Sequence, residues 1–273
     1  MGGALAGGMS GTPHRALRAY VSSYVGYRQV GGLPEVHHGI SSPTATVIIA
    51  FDEPLDVGWA QRPGGGRFWT LAAGMHTRAA LIRTHQHQHG IQLALTPLGC
   101  RRLLGLPIGA LAHDMVGHEE VPLGIGRDAH ARLQEAASWP ARFKILDEAL
   151  LSVLRRSPAP RVHAAANDGW RHIERSRGLM SIERIAHESG WSRRHLSARF
   201  VAEYGVTPKE AARLFRFDSA RRLAAAGRPL AQVAESAGYA DQAHLTREWR
   251  SFAGQSPTRT RAEQLSFVQD PPD

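Results

Sequence analysis

The sequence has a single cysteine, Cys100, in 273 residues. That excludes an intramolecular disulfide and any cysteine-based zinc cluster. Lysine is nearly missing too: only Lys144 and Lys209 stand among 33 basic residues, so positive charge here means arginine. A guanidinium fork suits phosphates and guanine edges better than an ammonium does. No apolar run approaches the roughly 18 residues needed to span a bilayer. The opening MGGALAGGMSGTPH lacks the charged start and apolar core of a signal peptide. A cytoplasmic chain without membrane association is the expectation. Enzyme signatures are also lacking. There is no G-x-S-x-G, no phosphate-binding G-x-x-x-x-G-K and no H-E-x-x-H, and QRPGGGRFW lacks the Lys-Ser/Thr that follows a phosphate loop. No enzyme activity and no cofactor are expected.

What is present is positive charge, unevenly spread. The net charge is +9, which calls for an anionic partner. Residues 1–160 hold 15 basic against 11 acidic side chains, whereas the shorter stretch 161–265 holds 18 against 11. Between these parts RRSPAPRVHAAAND, with Pro158 and Pro160, breaks the helix arriving from ARFKILDEALLSVL. The division expected is a flexible start (1–14), a first domain (15–155), a linker (156–167), a second domain (168–264) and a flexible tail (265–273).

The C-terminal part repeats itself. Ala186, Gly190 and Trp191 match Ala234, Gly238 and Tyr239 at an offset of 48. After one extra residue, His195-Leu196-Ser197, Phe200, Gly205 and Pro208 match His244-Leu245-Thr246, Trp249, Gly254 and Pro257 at an offset of 49. Each copy reads as helix, glycine turn, helix, the pattern of a helix-turn-helix whose second helix enters the major groove. The outward faces carry Arg193, Arg194, Ser197 and Ala198 in one copy and Gln242, Ala243, Thr246 and Arg247 in the other. Arginine and glutamine bond base edges, and small residues allow close approach. Between the copies, TPKEAARLFRFDSARRLAAAG reads as one long helix, with Thr207 as N-cap, Pro208 at its first position and Gly227 as its stop. In the second copy Trp249 is expected to be buried beneath the Gly238 turn, against Leu245 and Val233. A plain helical bundle with a solvated basic face is the competing interpretation; the duplicated polar face favours DNA.

Residues 168–264 resemble the DNA-binding domain of AraC/XylS-type transcriptional regulators, most fully in AGYADQAHLTREWRSFAGQSPTRTR, with Gly238-Tyr239, Gln242, His244-Leu245, Trp249, Gly254, Pro257 and Arg261 in place. The resemblance implies an all-α domain of two helix-turn-helix units joined by a long helix, with base-reading helices at 192–203 and 241–252 in adjacent major grooves. Two departures stand out. Thr260 occupies a usually aromatic position, and Ala198 and Ala243 replace longer polar side chains. Double-stranded DNA is the expected partner, with RNA polymerase, a small-molecule effector and a second copy of the chain as further ones.

The N-terminal part reads as strands (45–51, 67–73, the stretch before HQHQHG, and 90–97) followed by helices in PLGCRRLLG, DAHARLQEAA and PARFKILDEALLSVL, an α+β sensor-like domain. Residues 73–79, GIQLALTPLGCRRLLGLPIGAL and DEALLSVL resemble an N-terminal domain carried by some AraC-type regulators, which implies regulation or oligomerisation. Two features stay open. His85, His87 and His89 would share one strand face and so form a candidate metal site, the basis of an alternative as a metal-dependent enzyme or metal sensor on a DNA-targeting module. No carboxylate follows before Asp114, which favours a solvated strand face near a ligand cavity. The stripe Phe143, Leu146, Leu150 and Val153 or Leu154 either covers its own domain or pairs with a second copy. Cys100, outside any Pro-Cys-His-Arg setting, reads as a buried structural thiol.

Overall fold

The computed structural model describes residues 5–30, 36–59, 62–83, 87–117, 125–158 and 160–260. The strands are β1 (Leu5–Gly11), β2 (Val21–Val30), β3 (Val36–Gly39), β4 (Ala45–Ala50), β5 (Leu55–Trp59), β6 (Arg62–Phe68), β7 (Thr70–Ala73), β8 (Ala80–Arg83), β9 (His87–Leu95) and β10 (Met115–Gly117). They form a six-stranded sheet, order β1-β2-β9-β4-β7-β10, and a four-stranded one, order β3-β8-β5-β6. Two expectations are corrected here. Leu5–Gly11 is an edge strand paired with β2 from Leu5↔Val30 to Gly11↔Tyr24, where the sequence suggested a flexible start. Glycine-rich strands are poor by propensity, but Gly11 has a partner that needs the space: a Cβ there would lie 2.7 Å from the Phe143 ring. The segment 67–73 is two strands in different sheets, broken at half-exposed Trp69.

Helices cover one face of the larger sheet. They are α1 (Pro97–Gly99), α2 (Arg127–Glu135) and α3 (Trp139–Arg156). Thr96 caps α1, which continues as a π turn, Cys100–Leu104, and ends at left-handed Gly105. Cys100 is fully buried, and burial pushes its thiol up. Phe143, Leu146 and Leu150 of α3 are buried in the chain's own core with Tyr24, Val47 and Leu93. Of the two uses of that stripe, packing on its own domain is the one found; Leu146 and Leu150 have no surface left to offer a second copy.

The C-terminal half is helical: α4 (Ala164–Arg175), α5 (Ile182–Glu188), α6 (Arg193–Tyr204), α7 (Pro208–Ala225), α8 (Leu230–Ser236) and α9 (Gln242–Ala253). The linker is shorter than 156–167, because α3 runs through Arg156 and α4 begins at Ala164. The expected tail, 265–273, and Arg261 lie outside the described residues. Helix α7 opens with a full capping box between Thr207 and Glu210 and has 18 residues, about 27 Å. Gly190 and Gly238 make the two turns in the left-handed region, at φ 70° and 75°.

Trp249 is 2% exposed, as its spacing suggests. Its ring meets Phe217 of α7 edge-on at 5.2 Å; the Gly238 turn is covered instead by Leu179. The indole N–H donates to Thr260 Oγ1 at 2.9 Å, and the Thr260 hydroxyl donates to the Ser256 carbonyl at 3.0 Å. The threonine in the usually aromatic position therefore satisfies a buried donor.

The two halves meet at the far ends of the second helix of each unit. Arg101, in the π turn, grips buried Glu203 of α6 with both branches of its guanidinium, Nε to Oε1 at 2.6 Å. Ser41 donates both its N–H and its hydroxyl to the Phe252 carbonyl of α9, each at 3.1 Å.

Thr260→Val should cost about 1–3 kcal/mol, because it leaves the buried indole N–H without a partner. Trp249→Ala should cost about 3–5 kcal/mol. Urea unfolding followed by circular dichroism measures both. A neutral Thr260→Val would mean that the indole bond contributes nothing.

Candidate nucleic-acid interface and ligand cavity

Helices α6 and α9 begin alike. Ser192 accepts from the His195 N–H, and Asp241, one repeat later, from the His244 N–H at 2.6 Å. These caps fix the first turn of each helix, so equivalent residues face the same way. Arg193, Arg194 and Ala198 are exposed and Ser197 half-buried; Gln242, Ala243 and Arg247 are exposed and Thr246 half-buried. All eight residues singled out by phasing lie on the two second helices with their faces open. Arg193 is shared with Glu183 at 3.2 Å, an exposed pair of little worth that a phosphate can replace. Among the described residues neither Arg194 nor Arg247 is held in an ion pair. The Thr246 hydroxyl donates to the Gln242 carbonyl at 2.8 Å and keeps lone pairs to accept with.

Sequence reasoning missed one contact at the first unit. His163, the last residue before α4, lays its ring 6.0 Å from Trp191 and 5.4 Å from His195, and Trp191 stacks on His195 at 5.0 Å. The linker thus touches the first turn itself. The matched His195 and His244 were visible in the repeat; nothing local announced His163.

Between the two sheets runs a cleft of about 1830 Å³ that opens toward α4 and α7. Tyr27, Ile48, Val57, Leu71 and Ile82 give it apolar walls, and Arg171, Arg177, Arg221 and Arg222 line its α4 and α7 side. Asp218 already holds Arg222 at 2.8 Å and Arg221 at 3.5 Å, which leaves Arg171, Arg177 and Arg228 on the cleft wall as cations for an acidic guest.

The histidine strand is corrected by parity. On β9 the even residues Gln88, Gln92 and Ala94 face this cleft, while Ile91, Leu93 and Leu95 face the helical core. His89 has the parity of the second set. It is buried, its Nδ1 3.0 Å from Asp52, its ring edge-on to Phe51 and Trp139. Burial lowers its pKa against the pull of Asp52. His87 is exposed, and His85 lies outside the described residues. Among the described residues, no group of three or more His, Cys, Asp or Glu is placed to hold a metal ion. Instead of a solvated face by the cavity, the strand turns a buried histidine, hydrogen-bonded to Asp52, away from it.

A second buried histidine sits at the seam. His76 Nδ1 is 2.5 Å from the Arg78 carbonyl and 3.2 Å from Ser41 Oγ, the hydroxyl that holds Phe252. The carbonyl requires the proton on Nδ1. Burial lowers the His76 pKa from 6.5 to about 4, with His113 acting in the same direction. Its folded-state pKa lies below the unfolded value, so the stability it contributes is complete above pH 6.5 and is lost as pH falls toward 4. Going from roughly pH 7.5 to pH 5 should cost about 2 kcal/mol through this group. His76→Gln should flatten that part of the slope in urea titrations at the two pH values; an unchanged slope would mean that His76 is not held neutral.

Residues 185–263 match the helix-turn-helix domain family. No curated protein matches the sequence significantly. Among solved structures, ToxT from Vibrio cholerae is similar over 97% of this chain and 99% of its own, at 10% identity and a TM-score of 0.55. Wild-type ToxT from Vibrio cholerae strain SCE256, bound to an unsaturated fatty acid, is similar over 98% of each chain, at 10% identity and a TM-score of 0.53. Identity so low speaks for the fold alone, and the fold extends over both halves. Residues 185–263 thus match a helix-turn-helix domain, and the whole chain shares the two-part fold of ToxT.

Proposed function

We propose that the protein is a sequence-specific transcription regulator that reads two adjacent major grooves of double-stranded DNA. The observation that carries this reading is the duplicated presentation: two second helices, capped at equivalent residues, each with an unpaired arginine and small or amide side chains outward. Helix α7, about 27 Å long, suits the roughly 34 Å between successive major-groove faces. No helix of the described residues is long and apolar enough to cross a membrane, and the cytoplasm, where DNA and RNA polymerase lie, is the proposed location. The alternative as a metal enzyme loses its motive once His89 is committed to Asp52 and faces away from the cleft.

The cleft supports a second element of the proposal, modulation by an effector. Apolar walls with arginines at one side suit an amphipathic anion such as a long-chain carboxylate, the class of molecule bound in one ToxT structure.

Both elements are testable. From a randomised duplex library the protein should select a sequence, on which Arg194→Ala or Arg247→Ala costs about 1–3 kcal/mol and relaxes preference at one base pair. Equal losses on selected and unrelated duplexes would make these arginines phosphate clamps. Oleate should raise the melting temperature and its methyl ester should not. Arg171→Ala with Arg177→Ala should weaken oleate binding about tenfold, as for loss of a charge-assisted contact; ester and acid acting alike would remove the anionic effector.

A further inference from the structure

The two reading helices end as alike as they begin. Gly205 closes α6 and Gly254 closes α9, one repeat apart, both left-handed, at φ 70° and 72°. The N-terminal domain sits on both ends. Gly109 lies so close to α6 that a Cβ would be 2.7 Å from the Gly205 nitrogen and 2.8 Å from the Glu203 carbonyl oxygen, and Arg101 grips the Glu203 carboxylate. At α9, a Cβ on Gly254 would be 2.4 Å from the His38 ring, and Ser41 satisfies the Phe252 carbonyl with two donors. The last carbonyls of a helix lack partners within it. At α9 the other domain supplies a partner for one of them, the Phe252 carbonyl, and at α6 it holds the Glu203 side chain of the last turn.

We infer that Arg101 and Ser41 are positioning residues: through them the N-terminal domain clamps both reading helices at their C-terminal ends and so sets the spacing at which their N-terminal ends meet DNA. The inference rests on the DNA-reading proposal above and adds what regulates it. Each helix has 12 residues, about 18 Å, between its clamped end and its reading end. A tilt of about 10° at the clamp carries the reading end about 3 Å, close to one base-pair step of roughly 3.4 Å. Small changes at the clamp therefore become changes of register on the duplex.

The clamp at α6 has a rigid mount. The π turn Cys100–Leu104 gives adjacent arginines different targets: Arg101 takes Glu203, and Arg102 takes the Leu154 and Ser157 carbonyls at the end of α3, at 2.9 and 2.7 Å. The cleft joins the two clamps, with His38 and Ser42 on its wall near one and Glu203 and Tyr204 near the other. An occupant of the cleft touches the neighbourhood of both.

The test is selection from a randomised duplex library by the full-length chain, read as two quantities: the half-site sequences and the distance between them. Wild type should return two half-sites at one spacing. Glu203→Gln, and Arg101→Gln combined with Glu203→Gln, which leaves no unpaired buried charge, should return the same half-sites with the spacing spread by at least one base pair. Ser41→Val should do the same from the other end. Thermal melts certify that each variant is folded. Folded variants with the wild-type spacing would overturn the clamp, as would altered half-site sequences, which would assign Arg101 or Ser41 to reading itself. No enriched sequence with wild type would defeat the DNA-reading proposal and the clamp together, an outcome distinct from enrichment with unchanged spacing.

Discussion

A strand shows successive side chains to opposite faces, and the six-stranded sheet has both faces covered, so β4, β7 and β9 must satisfy two different neighbours at once. Val47, Ile49, Ile91 and Leu93 face the helices; Ile48 and Leu71 face Leu55, Val57 and Ala80 of the smaller sheet. Everything in the N-terminal half follows from that division. One parity builds a dry core under α3. The other leaves a cleft whose walls stay apolar and whose open side is bordered by arginines of the helical half.

The C-terminal half was largely legible because its signals are local. Caps, glycine turns and a 3.6-residue period lie within a few residues of what they organise, and a duplicated pattern reads twice. Thr207 and Pro208, Gly205 and Gly254, and the eight outward residues needed no distant partner to be placed. The N-terminal half was legible only in its strands. The fate of His89 depends on Asp52, 37 residues earlier, and that of Arg101 on Glu203, 102 residues later. Likewise Gly11 becomes strand because Phe143 stands over it. No window of sequence contains such pairs.

The second helix of each unit buries one glutamate, and the two are answered from different places. Glu203 of α6 is held by Arg101 of the N-terminal domain, whereas Glu248 of α9 is held by Arg213 of α7 at 2.6 Å, with the same guanidinium over the Phe252 ring at 5.0 Å. A buried carboxylate is costly unless paired, so each pair commits its helix to whichever element supplies the arginine. The second unit is internally anchored on the connecting helix. The first borrows its anchor from outside the helical half, and its turn is touched in addition by His163 of the short connection.

The position of β1 has a consequence for how the chain comes to be folded. Its pairing with β2 is local, yet Gly11 lies against Phe143, and the backbone N–H of His14, just past the strand, donates to Asp147 at 3.1 Å, 133 residues away. Its contacts with Phe143 and Asp147 can form only after α3 has been synthesised. Such contacts of long sequence separation carry a higher loop-closure cost than the local β1–β2 pairing. The helical half, whose contacts are mostly short in sequence, needs no such delay once it leaves the ribosome.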